Sequence, residues 1–160
     1  AELARVLPVV LALAPRGVLS IDTTKARVAA AALAAGARVV NDVSAARLEP
    51  EILALVAEHG AGVILMHMRG SPRDMQREPR YDDVVREVAA HLRARAAAAW
   101  RAGIALDAIA LDPGLGFGKD VGQPLNPNLK NISAWFARMD ARPSATSRLH
   151  PAWQDIKMLG

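Results

Sequence analysis

Ile109-Ala-Leu-Asp-Pro-Gly-Leu-Gly-Phe-Gly-Lys119 is the stretch whose reading decides the fold. A short apolar run ends in Asp112, Pro113 stops it, and Gly114, Gly116 and Gly118 follow. Where strands alternate with helices, this order puts a carboxylate at the C-terminal mouth of a buried strand. The glycines behind it let a ligand approach the backbone closely. A carboxylate at the end of an apolar strand needs a partner to offset its desolvation. The design recurs upstream: Val18-Leu-Ser-Ile21 runs into Asp22, Arg38-Val-Val40 into Asn41 and Asp42, and Gly62-Val-Ile-Leu-Met66 into His67.

Between these runs the sequence predicts helices. Residues 1–13 form an amphipathic segment closed by Ala14-Pro15-Arg16-Gly17. A second helix starts after Thr23 or Thr24, either of which can cap it, and runs to Ala35 with Gly36 just past its end. Pro50 sits where a third begins, and His59-Gly60 ends it. A polar loop with Pro72 and Pro79 precedes a fourth, over residues 81–102, with Asp82 and Asp83 in its first turn and Val84, Val88 and Leu92 as its buried stripe. Strands that are continuously apolar and alternate with helices predict a parallel sheet covered by helices. Polar side chains at several successive strand ends favour a (β/α)8 barrel over a doubly wound sheet, and Asp22-Thr-Thr-Lys25 is not the glycine-rich turn of a dinucleotide fold. A full barrel takes roughly 250 residues. The expectation is therefore a partial TIM barrel of about four βα units, an α/β protein. Its barrel domain covers 1–119, and a divergent, irregular tail covers 120–160 and holds Trp135, Phe136 and Trp153.

Composition narrows the function classes. With 52% hydrophobic and 22% charged residues, the chain has the balance of a soluble globular protein. No apolar run reaches the roughly 20 residues of a membrane helix. Ala-Glu-Leu-Ala-Arg at the start has no signal-peptide pattern and no initiator Met, so sequence upstream is expected. The absence of cysteine excludes disulfides, thiol catalysis and Cys-type zinc sites, and fits a cytoplasmic location. The formal charge is only +4 and the arginines are scattered among alanines, which speaks against nucleic acid as a partner.

The strand ends together offer Asp22, Asn41, Asp42, Met66, His67 and Asp112. A carboxylate accepts two parallel N–H bonds from an amidine-like edge, an asparagine amide both donates and accepts, and methionine packs on a ring face. Such a pocket suits a flat heterocycle rich in N–H donors. Each residue also has a structural use. Asp22 can cap a helix, Asn41 and Asp42 can form a turn, Met66 can be core, and the glycines can simply turn the chain. His67 reads as a structural histidine with no nucleophile beside it, and His59 and His91 as helix-surface residues.

Ser20-Ile-Asp-Thr-Thr-Lys25, Val40-Asn-Asp-Val43, Leu65-Met-His-Met-Arg-Gly-Ser-Pro72, the segment from Met75-Gln76 to Pro79-Arg-Tyr-Asp-Asp83, and Leu111-Asp-Pro-Gly-Leu-Gly-Phe-Gly-Lys119 resemble dihydropteroate synthase, in order and over about three-quarters of the chain. That family is a (β/α)8 barrel of folate biosynthesis. It joins p-aminobenzoate to 6-hydroxymethyl-7,8-dihydropterin pyrophosphate with Mg²⁺ and releases pyrophosphate. The resemblance implies that Asp112 accepts the pterin amino and ring N–H edge, that Asn41 bonds the ring from the adjacent strand, that Met66 packs on it and that Phe117 lines the pocket. Asp22 would bind on the reacting side and act as the catalytic carboxylate, stabilising positive charge as the C–O bond to pyrophosphate breaks.

The chain departs from the family in three places. The Asn-Val-Thr-Pro-Asp-Ser-Phe-type loop for Mg²⁺ and pyrophosphate has no counterpart, so no metal ligand is assigned. Thr146-Ser-Arg148 is followed by Leu149 instead of the lysine of a Ser-Arg-Lys motif, and the Arg-x-His anion site is absent. The expectations are a pterin wall, negligible turnover by the isolated chain, and a homodimer or other self-association through unpaired strand edges. The competing readings are a folate-dependent methyltransferase-type binding domain and a non-catalytic truncated product.

Overall fold

The computed structural model describes residues 2–70, 81–115 and 117. Contacts divide the chain into two units, Ala1–Asp120 and Val121–Gly160, and every described residue belongs to the first. The expected loop around Pro72 and Pro79, the positions Gly116, Gly118 and Lys119, and the tail lie outside the described residues.

Helix α1 (Glu2–Leu13) carries Pro8 inside it and passes into a 3-10 turn, Ala14–Arg16. Then follow β1 (Ser20–Asp22), α2 (Ala26–Ala34), β2 (Val39–Asp42), α3 (Glu51–Glu58), β3 (Gly62–Met66), α4 (Val84–Arg101), a 3-10 turn Leu106–Ala108 and β4 (Ile109–Asp112). All three strand pairings are parallel, and the sheet order is β1-β2-β3-β4. A parallel crossover is right-handed, so strands added one after another in the same direction place every connecting helix on one face of the sheet. A doubly wound sheet would reverse its order somewhere, and this one does not. Three βα units of a barrel and a fourth strand account for the arrangement.

The register divides the strand residues between two faces. Ile21, Val40, Val63 and Ile109 stand in one row across the sheet. These four, with Leu65, pack against Ala29 and Leu33 of α2, Ile52, Leu53 and Val56 of α3 and Ala99 of α4. They are the helix-facing side, where the buried apolar area that holds the unit together lies. Side chains alternate along a strand, so the residues between them face the barrel interior.

Helix ends follow the sequence with two differences. Gly36, Gly60 and Gly103, just past α2, α3 and α4, have φ of 106°, 57° and 98°, the conformation that ends a helix cheaply only at glycine. Asp83 is the N-cap of α4 and accepts from the Arg86 amide, while Glu87 reaches back to the Asp82 and Asp83 amides, a variant of the capping box. Asp82 and Asp83 thus precede the helix and do not lie in its first turn. At α2 the expected threonine cap is replaced. Thr23 Oγ1 accepts from the Lys25 amide, and the exposed amide end of the helix is met at Ala26 by the Glu49 carboxylate, 2.7 Å away, from the loop before α3. Thr23 closes its own turn and stands too early in the chain to cap a helix whose N-cap is Lys25.

Candidate functional site

Parity along the strands decides which polar residues share a site. Asp22 pairs with Asn41, and Asn41 with Ile64, in one register row; Met66 pairs with Asp112 in the row two residues further up. Both rows alternate with the helix-facing rows, so Asp22, Asn41, Met66 and Asp112 share the interior face at the C-terminal end of the sheet. The backbone joins their ends: the Thr23 amide donates to the Asn41 carbonyl (3.0 Å), and the His67 amide to the Asp112 carbonyl (2.9 Å).

The four differ in surroundings. Asp22 is exposed and makes no side-chain hydrogen bond among the described residues, and it does not cap α2. Asn41 is half-buried, with its amide likewise uncommitted among those residues. Met66 is buried, with its Cγ close to Gly114 of the loop after β4. Asp112 is half-buried; its Oδ1 accepts from the Gly114 amide at 2.7 Å, a contact that orients the carboxylate and engages one of its two oxygens. Gly114 has φ of 65°, and a Cβ there would stand 2.1 Å from the His67 carbonyl oxygen, so the loop after β4 lies directly on the end of β3. Phe117 is half-buried and donates its amide to the Gly114 carbonyl at 3.0 Å, which folds the glycine loop back on itself.

Two strand-end residues expected in the same pocket lie on the other side. Asp42 pairs with Leu65 in a helix-facing row and is fully buried. Its Oδ1 accepts from the Ser44 amide (2.7 Å) and its Oδ2 from the Ala46 amide (2.9 Å), which makes it the turn former of the two readings. His67, one residue past Met66, is buried among α4 side chains. Its ring meets His91 edge-on at 4.9 Å between centroids and lies 6.1 Å from Tyr81. His91 is therefore not the helix-surface residue that its position suggested, because β3 ends beneath it. His59 is exposed, with Nδ1 2.9 Å from the Leu55 carbonyl at the end of α3.

Beside these rings Arg69 stacks over Tyr81 at 4.4 Å and pairs with Glu87 at 2.9 Å. Burial pushes the Tyr81 phenol up, opposed by the Arg69 charge. The Asp83 amide, then the Asp82 amide and Arg69, hold the Glu87 carboxyl below its ordinary range. The sequence reading missed Ser44, Arg47, Glu49 and Arg95. Each acts on a backbone group distant in the chain or inside a tight loop, and no spacing announces that. Among the described residues no three His, Asp or Glu side chains converge as metal ligands.

The family model described as pterin binding enzyme matches residues 1–138. The dihydropteroate synthase of Synechocystis sp. is 44% identical over 138 residues, covering 82% of this chain and 48% of that protein. Among solved structures, the Yersinia pestis dihydropteroate synthase with a sulfonamide drug complex superposes with a TM-score of 0.74 at 39% identity, over 87% of this chain and 50% of that one. The Burkholderia cenocepacia enzyme complexed with 7,8-dihydropteroate does so with a TM-score of 0.70 at 45% identity, over 89% and 50%. The chain spans about half the length of these relatives. With four parallel strands alternating with helices, one interior face of carboxylate, amide and thioether, and a family match over most of its length, the chain belongs to the pterin binding enzyme family.

Proposed function

We propose that this chain carries the pterin-recognition wall of a dihydropteroate synthase, the transferase that joins p-aminobenzoate to 6-hydroxymethyl-7,8-dihydropterin pyrophosphate in folate biosynthesis. The observation that carries the reading is the shared interior face of Asp22, Asn41, Met66 and Asp112. Asp112, oriented by the Gly114 amide, accepts the N–H edge of the pterin, and Asn41 bonds the ring from two strands away. Met66 and Phe117 cover the ring. Asp22, exposed on the same face, stabilises the cationic carbon that forms as pyrophosphate leaves. The relatives named above are synthases, and one is complexed with 7,8-dihydropteroate, which supports this reading over a folate-dependent methyltransferase.

The part of the reaction assigned to these residues is holding and polarising the pterin; Mg²⁺ and pyrophosphate are given no residue in this reading. We place the protein in the cytoplasm; no helix among the described residues is long and apolar enough to cross a membrane. Residues 1–119 are assigned to the barrel and 120–160 to a separate tail. Self-association is expected. The outer edges of β1 and β4 pair with no strand among the described residues, and an apolar groove of about 290 Å³ lies between α1 and β1.

A calorimetric titration with 6-hydroxymethylpterin tests the site. Saturable binding that weakens tenfold or more in Asp112→Asn is the expected result. Equal binding by the two proteins, or none by the parent, rejects it.

A further inference from the structure

The loop after β2 is held in an unfavourable conformation by charged groups from three places in the chain. Ala45 and Ala46 both have positive φ, 53° and 54°, although neither is glycine. In a left-handed backbone an alanine Cβ crowds the following carbonyl oxygen, a steric cost that glycine escapes. Both are buried, at 0% and 1% exposure, so every backbone polar group there needs a partner. The Ser44 and Ala46 amides converge on the Asp42 carboxylate. The carbonyls of Ala45 and Ala46 converge on Arg95 of α4, which donates Nε to the first at 2.7 Å and Nη2 to the second at 3.3 Å. Arg47 donates Nε to the Ser44 carbonyl at 3.1 Å and Nη2 to the Met68 carbonyl at 3.2 Å.

These contacts join two ends of the site. Asp42 is the residue after Asn41, on the opposite face of β2, and Met68 is two residues past Met66. Whatever fixes the turn at Asp42 fixes where β2 stops and how its last interior-facing side chain is aimed. Arg47 ties the turn to the end of β3. Arg95 is the member of the network from farthest along the chain, 50 residues from Ala45, and it spans the packing of α4 against the sheet. Burial and the neighbouring Arg47 lower its affinity for the proton, while Asp42 opposes them. A guanidinium keeps its charge in such surroundings and presents a planar fork that meets two carbonyls at once, which a lysine ammonium on a flexible stem does not.

We propose that Arg95 is a positioning residue for the pterin wall: by gripping the left-handed Ala45 and Ala46 carbonyls it locks the loop that aims Asn41 beside Met66. It touches no substrate and acts through the loop. The inference rests on the reading of Asn41 as a pterin contact, and its test is arranged so that the two can fail separately.

Four proteins make the test: the parent, the Ala45→Gly/Ala46→Gly double variant, and that double variant carrying Arg95→Met or Arg95→Lys. The glycines remove the cost of positive φ, so the double variant should be more stable than the parent and bind 6-hydroxymethylpterin within about twofold of it. They should also keep the Arg95→Met protein folded, with the midpoint of urea unfolding at or above that of the parent. The expected result is that stability returns in this protein but affinity does not, remaining at least tenfold weaker, with Arg95→Lys intermediate because one ammonium reaches one carbonyl. Recovery of affinity together with stability overturns the proposal, since Arg95 would then only hold up the fold. The Asn41 side-chain amide signals in a ¹⁵N–¹H spectrum give a readout independent of binding. They should shift or broaden when Arg95→Met is added to the glycine background. If the parent binds no pterin, the reading of the site fails, and unchanged Asn41 signals overturn the positioning role as well.

Discussion

The turn after β2 and the mouth formed by Asp22, Asn41 and Asp112 are separated by one residue of chain and by the thickness of the sheet. On the helix side, Asp42 is buried and its two oxygens are saturated by the backbone amides of Ser44 and Ala46. On the interior side, Asp22 is exposed with no side-chain partner among the described residues, and Asp112 is committed at one oxygen only. Three aspartates at three strand ends thus have two fates. A carboxylate whose lone pairs the fold already uses is a structural part. One that the fold orients without satisfying keeps an acceptor open, and the proposed pterin contact uses it. The difference comes from strand parity, not from residue type or local sequence.

The largest effect that would break this comparison is at Asp42. Asp42→Ala should lower stability by about 4 kcal/mol, because two buried amides lose their acceptor at once, each costing roughly 1–3 kcal/mol. Urea denaturation measures it, and a loss below about 1 kcal/mol would mean that the turn does not depend on the carboxylate.

Gly114→Ala comes next. Its Cβ would meet the His67 carbonyl in a left-handed backbone, so about 3 kcal/mol of destabilisation is expected, from overpacking together with positive φ. Because the loop after β4 carries Asp112's orienting amide, the same variant should also weaken pterin binding. Unimpaired binding would separate the loop from the site.

The mouth carboxylates should show the opposite balance. Asp112→Asn keeps an oxygen to accept from Gly114, so its thermal midpoint should change by less than about 1 kcal/mol equivalent while pterin affinity falls. Asp22→Ala, at an exposed site, should stay within about 0.5 kcal/mol of the parent. A strongly destabilised Asp22 variant would show that this carboxylate, like Asp42, belongs to the fold.

The smallest effect is the pH response of α4. Glu87 has a carboxyl pKa held below its ordinary value, chiefly by the Asp83 amide. The stabilisation is therefore full above the unfolded-state pKa and is lost as pH falls through the lower folded-state value. The amides of Asp82 and Asp83 should exchange faster with acidification in the parent, after correction for intrinsic rates, and Glu87→Gln should remove that dependence.

The alternation of apolar runs with amphipathic segments was enough to place four strands and four helices and to predict a parallel, helix-covered sheet. The residues Gly62 to Met66 were expected as a strand and form β3 with those bounds. Glycine at the helix ends and proline before α3 were legible because their backbone preferences are local. The motifs were also enough to single out Asp22, Asn41, Met66, Asp112 and Phe117. Position alone did not separate Asn41 from Asp42 or Met66 from His67, because consecutive strand residues point to opposite faces and only pairing with the neighbouring strands says which face is which. Val40 as a core residue was the one available signal, since Asp42 shares its parity. The contacts of Arg95 with Ala45 and Ala46, of Arg47 with Met68, and of Glu49 with the start of α2 had no signal at all. Each joins a side chain to a backbone group distant in the chain that comes within reach only once the helices have packed against the sheet. The order of elements and the chemistry available at their ends are written in the sequence; which of those ends share the interior face and which are consumed by the fold is settled only in the assembled sheet, because parity and backbone satisfaction are properties of paired strands.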